Sequence, residues 1–252
     1  MTTPHERVLI IIPTFNEAES LPVTINGILA HAPRVDILVV DDGSPDGTGE
    51  IADALAWEYP QIEVMHRSEK AGLGAAYIAG FNWALERDYT VICEMDADGS
   101  HRPQDLPRVL AGLIENPNVA MTIGSRWVPG GDVENWPKHR EFLSRGGNTY
   151  VQMALGLPLK DATAGFRAYR RQTLEQMDLG GVQSHGYCFQ VDMSRRAIDA
   201  GGEVLEVPII FVERTLGTSK MSGNIVREAL LRVTWWGVQR RIAELKRLVR
   251  KR

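Results

Sequence analysis

The chain is poor in cysteine, in long apolar runs and in glycine at its first strand, and each shortage removes a class of protein. Only two cysteines occur in 252 residues, Cys93 and Cys188. One ends an apolar run and the other stands beside aromatics, which suits two buried thiols in a reducing compartment rather than a disulfide framework. No stretch reaches the ~18–20 uninterrupted apolar residues of a membrane span, so no integral segment is expected. The opening MTTPHERVLIIIPTFNE is broken at Pro13 and shows no small-residue cleavage site, so no signal peptide is expected. The G-x-G-x-x-G that would follow the first strand of a dinucleotide-binding fold is missing. Gly72-Leu73-Gly74 comes later and lacks the rest of that pattern, which disfavours NAD chemistry.

Charge is modest but uneven. The net value is −4, yet Arg227 to Arg252 holds nine Lys and Arg against two Glu, so that segment carries +7 and the remainder −11. A basic end on an acidic body points to one specific contact and away from general nucleic-acid binding. Within that end, Leu230, Leu231, Val233, Trp235, Trp236 and Val238 precede QRRIAELKRLVRKR. A basic amphipathic helix with tryptophans suits a membrane interface, and equally a terminal helix packed on its own domain.

Short β-branched runs alternate with helical spacing along most of the chain. Strands are expected at Val8 to Ile12, Asp36 to Val40, Ile62 to His66, Tyr89 to Cys93, Ala120 to Ile123 and Val204 to Val212. Helices are expected over Asn16 to Ala30, Ile51 to Trp57, Gly74 to Glu86, Gln104 to Ile114 and His139 to Leu155, and from Asn224 onward. Gly130 to Trp136 reads as a loop. The alternation predicts a doubly wound α/β sheet with ligand groups at the carboxyl ends of its strands.

Four polar clusters follow apolar strands. Pro13-Thr14-Phe15-Asn16-Glu17 is the first. Asp41-Asp42-Gly43-Ser44 is the second; Ser44 to Gly49 has the composition of a turn, but the two aspartates end a buried strand and suit a base edge or ribose hydroxyl. The third is Asp96-Ala97-Asp98, with Ser100 and His101 beyond. Two like charges one residue apart repel by about 1 kcal/mol at 4 Å in water, so a cation is expected between them. Oxygen-only ligation suits Mg²⁺ or Mn²⁺ rather than Zn²⁺, whereas His101 reads as structural. The fourth is a set of cations, Arg126, Lys138, Arg140, Arg214 and Lys220, suited to a diphosphate flanked by a second anion.

Together PTFNEAES, VVDDGSPDGTGE, GLGAAY, EMDADGSH, GSRWVPGG, DATAGFR and ERTLGTSK resemble the dolichol-phosphate (polyprenol monophosphate) mannose synthases of glycosyltransferase family 2, over Val8 to about Ser222. The resemblance implies a GT-A fold: a single Rossmann-like doubly wound mixed sheet flanked by helices, with a C-terminal amphipathic tail. It implies a catalytic domain over 1–223 and a basic helix over 224–252. The implied reaction is inverting, metal-dependent transfer of mannose from GDP-mannose to a polyprenyl monophosphate.

By the same resemblance, Pro13, Phe15, Glu17, Val40, Asp42, Asp96, Ala97, Asp98, Arg126, Arg214 and Lys220 would bind the donor, with Asp98 and Arg126 catalytic. Relatives usually carry tyrosine where Phe15 stands, so base stacking should survive without a hydroxyl contact. Asp96, Asp98 and Ser100 would hold Mg²⁺ or Mn²⁺, Ser100 standing where some relatives have glutamine. Arg126, Arg140 and Ser144 would take the acceptor phosphate. The implied setting is peripheral, at the cytoplasmic face of a membrane, with a separate anchor subunit as a further partner. The rival expectations are a UDP-glucose donor and a silent nucleotide-sugar-binding module.

Overall fold

A computed structural model describes residues 6–68, 71–182, 187–213 and 223–250. The first strand, β1 (Val8–Thr14), is flanked by β2 (Asp36–Asp41) and β4 (Val91–Glu94), and β3 (Ile62–His66) lies beyond β2, all parallel. On the other side β7 (Arg167–Arg170) runs antiparallel between β4 and β5 (Val119–Ser125), and β8 (Glu203–Pro208) pairs parallel with β5. The order β3-β2-β1-β4-β7-β5-β8 is a mixed sheet of seven described strands. Its single reversed strand leaves β1, β2, β4 and β5 pointing the same way, so their carboxyl ends share one edge.

The β-branched runs are continuous because the central strands are covered on both faces. Leu9, Ile11, Leu38 and Val40 enter one core layer, while Ile10, Ile12, Ile37 and Val39 enter the other. The helix α3 (Leu73–Leu85) lies against the first layer, and α1 (Leu21–His31), α2 (Thr48–Glu58) and α4 (Leu106–Ile114) lie against the second. A Cβ at Gly80 of α3 would stand 2.7 Å from Ile11, so glycine sets how closely this helix approaches the sheet.

Past β5 the chain forms β6 (Asp132–Glu134), paired with β9 (Ile210–Val212), and the long helix α5 (Lys138–Leu155). After β7 come α6 (Arg171–Gln176) and α7 (Tyr187–Asp199), and α8 (Gly223–Arg250) ends the described chain. This last helix is fastened to the body. Tyr150 and Thr234 share a hydrogen bond of 2.6 Å, Arg240 reaches Asp199 at 3.7 Å, and the Arg195 guanidinium lies 5.2 Å from the Trp236 ring. Both cysteines are buried and free.

Three expectations change. The helix expected from Asn16 starts at Leu21, because Asn16 takes a left-handed φ of 57° and the chain turns before it coils. The expected loop over Gly130 to Trp136 contains β6, which finds its partner far away in β9. The extended run Val204 to Val212 breaks after Pro208 into two strands of two different sheets.

Candidate active site

At the shared edge, the two aspartates after β2 have different surroundings. Asp41 is buried and accepts hydrogen bonds from Thr14 Oγ1 at 3.0 Å, Ser44 Oγ at 2.5 Å and the Ser44 backbone N–H at 3.1 Å. It ties the β1 end to the following turn. Asp42, also buried, meets Arg67 Nη1 at 2.6 Å. Burial pushes the Asp42 carboxyl upward, opposed by the Arg67 charge and hydrogen bond. Pro13, Phe15 and Glu17 line up beside them at half-buried positions, and Val40 is fully buried in the sheet. The Glu17 N–H donates to Thr48 Oγ1 at 3.0 Å, which locks the β1 loop onto the start of α2.

Asp96 and Asp98 lie just past β4. Tyr77 Oη, on a fully buried ring of α3, donates to Asp96 Oδ1 at 3.0 Å. Burial, reinforced by the neighbouring Asp96 carboxylate, holds the Tyr77 phenol well above its ordinary value, so it stays a donor. Asp98 Oδ1 accepts the Ser100 N–H at 3.0 Å, and the Ala97 carbonyl accepts Thr24 Oγ1 at 2.9 Å. His101 is buried, and its Nδ1 accepts the Asp96 backbone N–H at 3.0 Å, which leaves the ring proton on Nε2. Its ring stacks on Phe166 at 5.0 Å and meets Phe211 edge-on at 5.6 Å. The loop is therefore braced from α1, α3 and β9, and what it presents is oxygen.

Among the described residues, no group of three or more His, Cys, Asp or Glu side chains is placed to hold a metal. The loop offers two carboxylates and a serine. That set fits a hard divalent cation whose remaining positions are filled by substrate oxygens, and does not fit a closed zinc site.

The cationic side is an Arg–aromatic cluster. Arg126 is buried and makes a fork with Asp161, Nε to Oδ2 at 2.7 Å and Nη2 to Oδ1 at 2.6 Å. Asp161 also accepts the Arg126 backbone N–H and Asn148 Nδ2, and Thr163 Oγ1 reaches it at 3.3 Å. Breaking such a buried pair from one side costs about 3–5 kcal/mol. The Arg126 guanidinium lies 5.3 Å from Trp127, 5.5 Å from Trp136 and 5.4 Å from Phe211. Arg140 packs over Trp136 at 4.2 Å and forms an ion pair with Glu213. Ser144 sits one turn along α5, half-buried, its carbonyl accepting Asn148 Nδ2 at 3.1 Å. Phe211 touches both His101 and Trp136, so an aromatic train joins the carboxylate loop to the arginines. Arg214 and Lys220 lie outside the described residues.

Residues 9–178 match the model of glycosyl transferase family 2. The chain belongs to that family. Two curated relatives align over nearly its full length. The polyprenol monophosphomannose synthase of Mycolicibacterium smegmatis is 54% identical over 248 residues, 98% of this chain and 93% of the relative. The undecaprenyl-phosphate mannosyltransferase of Micrococcus luteus is 55% identical over 235 residues, 93% of this chain and 96% of the relative.

Solved structures share the fold at much lower identity. Glucosyl-3-phosphoglycerate synthase from Mycobacterium tuberculosis, bound to Mn²⁺, UDP-glucose and phosphoglyceric acid, has a TM-score of 0.67 at 18% identity, over 91% of this chain and 80% of that one. A mannosyltransferase from Pyrobaculum calidifontis, bound to GDP-mannose and Mn²⁺, scores 0.61 at 18%, over 96% and 65%. The glycosyltransferase family explains the strand-end placement of the carboxylates and the GT-A arrangement of the sheet.

The sequence pattern did not single out several residues that organise the site. Tyr77 holds Asp96, Arg67 holds Asp42, and Asp161 gathers Arg126, Asn148 and Thr163. Asp161 and Tyr77 lie inside the motifs DATAGFR and GLGAAY, which was the available signal; their partners are distant in sequence.

Proposed function

We propose that this family 2 glycosyltransferase moves mannose from GDP-mannose to a polyprenyl monophosphate, inverting the anomeric carbon and using a divalent cation. The near-full-length identity of 54–55% to two proteins named for polyprenyl-phosphate mannosyl transfer carries this reading. The site chemistry supports it. Pro13, Phe15, Glu17, Asp42 and Ala97 form the nucleotide side with Val40 in the sheet beneath, and Arg126 is assigned to the diphosphate together with Arg214 and Lys220, which lie outside the described residues. Arg140 and Ser144, with Arg126, receive the acceptor phosphate.

A phosphate oxygen ionised at neutral pH needs no strong general base. It bonds to C1 of mannose while the bond from C1 to the diphosphate oxygen breaks, and that electron pair leaves with GDP. His101 fits a reaction without a base, since its Nδ1 is committed to the Asp96 backbone. Asp96, Asp98 and Ser100 would hold Mg²⁺ or Mn²⁺, which when bound neutralises charge growing on the departing diphosphate. Arg126 enters already fixed by Asp161, so its guanidinium is held in place with its charge compensated by that carboxylate. For Arg140 to take phosphate, the Glu213 carboxylate must give way.

Residues 1–223 act as the catalytic domain, with 224–252 as the basic helix packed against it. No helix among the described residues is long and apolar enough to cross a membrane. The protein works at the cytoplasmic membrane face as a peripheral enzyme, through exposed apolar residues on α5 and α8 or through an anchor subunit.

The test uses purified protein, radiolabelled GDP-mannose, a polyprenyl monophosphate in detergent and Mn²⁺, with label counted in the organic extract. Lipid-linked label is expected, and EDTA or Asp98→Ala should lower it by more than a hundredfold. Label from UDP-glucose but not from GDP-mannose would overturn the donor assignment, and full activity in EDTA would overturn the metal.

A further inference from the structure

The sheet sets its strand ends out in a row. Along the shared edge come Asp42 after β2, Pro13 in β1, Asp96 past β4, the entry to β7 and Arg126 past β5. Because β7 is antiparallel to both neighbours, its entry lies on that edge, and Gly165 stands two residues before it. Gly165 therefore falls between the carboxylate loop and the arginine cluster, three strand spacings or about 14 Å from the end of β2. A Cβ on Gly165 would meet Gln190 Nε2 at 3.6 Å, His101 Cε1 at 3.6 Å and Asp96 Oδ2 at 3.7 Å. These are ordinary contacts, so the glycine leaves room for one heavy atom. Gly165 and Asp96 are both half-buried, and the room between them opens to solvent.

Gln190, on α7, is fixed in place and only half used. It is 3% exposed. Its carbonyl accepts Arg167 Nη1 at 2.7 Å and Ser194 Oγ at 3.0 Å, and its Nε2 donates to Glu94 Oε2 at 2.7 Å. The second hydrogen on Nε2 and the Oε1 oxygen have no partner among the described residues. A buried polar group left unsatisfied costs about 1–3 kcal/mol, so a native fold that keeps one calls for a reason. Nε2 is the atom that faces Gly165, so the room beside the glycine has an N–H donor on one wall and a carboxylate oxygen on another. A hydroxyl, which accepts and donates, satisfies both at once. Base and ribose are assigned to the ends of β1 and β2, far along the row. The hydroxyl-bearing part of a nucleotide sugar that falls beyond Asp96 and before Arg126 is the hexose.

We propose that Gly165 and Gln190, with Asp96 Oδ2, seat one hydroxyl of the hexose on the nucleotide-sugar donor and so select which sugar is transferred. This rests on the nucleotide-sugar reading above and adds the residues that discriminate among sugars. Gly165 supplies the space, and Gln190 supplies a donor whose direction Glu94 and Arg167 fix from behind.

The experiment measures equilibrium binding of GDP-mannose and of GDP, each with Mn²⁺, to the wild type, Gly165→Ala and Gln190→Leu. Gly165 has no left-handed φ, so alanine fits its backbone and adds one methyl where the hydroxyl would sit. Both variants should lose about tenfold or more in affinity for GDP-mannose, while GDP binding stays within about twofold. Four analogues, each lacking one hydroxyl of the mannose, then locate the seat. The analogue without the seated hydroxyl should bind the wild type and Gly165→Ala alike, and the other three should show the full loss. Retained thermal transitions guard against loss of folding. Equal losses for GDP and GDP-mannose, no loss in Gly165→Ala, or a loss shared by all four analogues overturns the inference. If UDP-glucose binds in place of GDP-mannose, the donor reading fails, while the same selective loss measured against UDP would still sustain the seat. Binding of neither nucleotide sugar overturns both.

Discussion

Glu94 ends β4 with its carboxylate wholly inside the protein. Tyr169 Oη donates to one oxygen at 2.8 Å and Gln190 Nε2 to the other at 2.7 Å. Burial pushes its pKa up to about 7, although Arg167 and these hydrogen bonds pull it down. An unfolded glutamate titrates near 4.3, so between those values the native state keeps a proton that the unfolded chain has lost. That contribution is complete below the unfolded pKa and disappears as pH rises through 7. Glu94→Gln removes the titration, and Gln190 Oε1, which has no partner among the described residues, can turn to accept from the new amide. In metal-free buffer the melting temperature of the wild type should fall relative to Glu94→Gln from pH 5 to pH 8. Parallel curves would mean that Glu94 titrates alike in both states.

At the scale of elements, the apolar strands and the polar groups that follow them were legible because both kinds of information are local. β1 and β2 read as buried runs, and their terminal Pro13, Glu17 and Asp42 region follows directly. β7 was not legible. Its sequence RAYR opens on Arg167, a charged residue that would ordinarily mark a surface. The fold buries it by giving the guanidinium three backbone carbonyls, those of Ala162, Ala164 and Gln190. The helix α7 was hidden similarly, since its buried Asp192 is paired with Arg195 and Arg196 on its own surface. In the site, Asp96 and Asp98 were visible as a motif, while Tyr77 and Asp161 act through partners 19 and 35 residues away. The α5–α8 contact carries its own prediction. A Cβ at Gly237 would lie 2.5 Å from the Ala154 carbonyl oxygen, a backbone atom that cannot swing aside. Gly237→Ala should therefore destabilise the docked helix by about 1–3 kcal/mol, read as earlier amide exchange in α8 than in the sheet. Equal exchange in the two proteins would mean that the helices separate easily.

At the scale of the whole molecule, exposed apolar side chains are concentrated. Phe142, Leu143 and Met153 project from α5, and Leu230, Leu231, Trp235, Val238 and Ile242 from α8, helices that pack together. Arg232, Arg240, Arg241 and Lys246 lie on the same helix α8, and joined apolar and cationic groups suit an anionic lipid surface. Sedimentation with anionic vesicles should be strong at low salt and weaken with added salt. Replacing Phe142, Leu143 and Trp235 together by serine should reduce it at least tenfold without altering binding of the proposed nucleotide-sugar donor. Full sedimentation of the triple variant would assign membrane attachment to charge alone, or to residues elsewhere.

The carboxylate of Asp161 answers at once to the loop after β5, to α5 and to its own turn, through Arg126, Asn148 and Thr163. Such a joint works as a gauge block. The span between the loop after β5 and α5 is set by a network of hydrogen bonds complete within the protein itself.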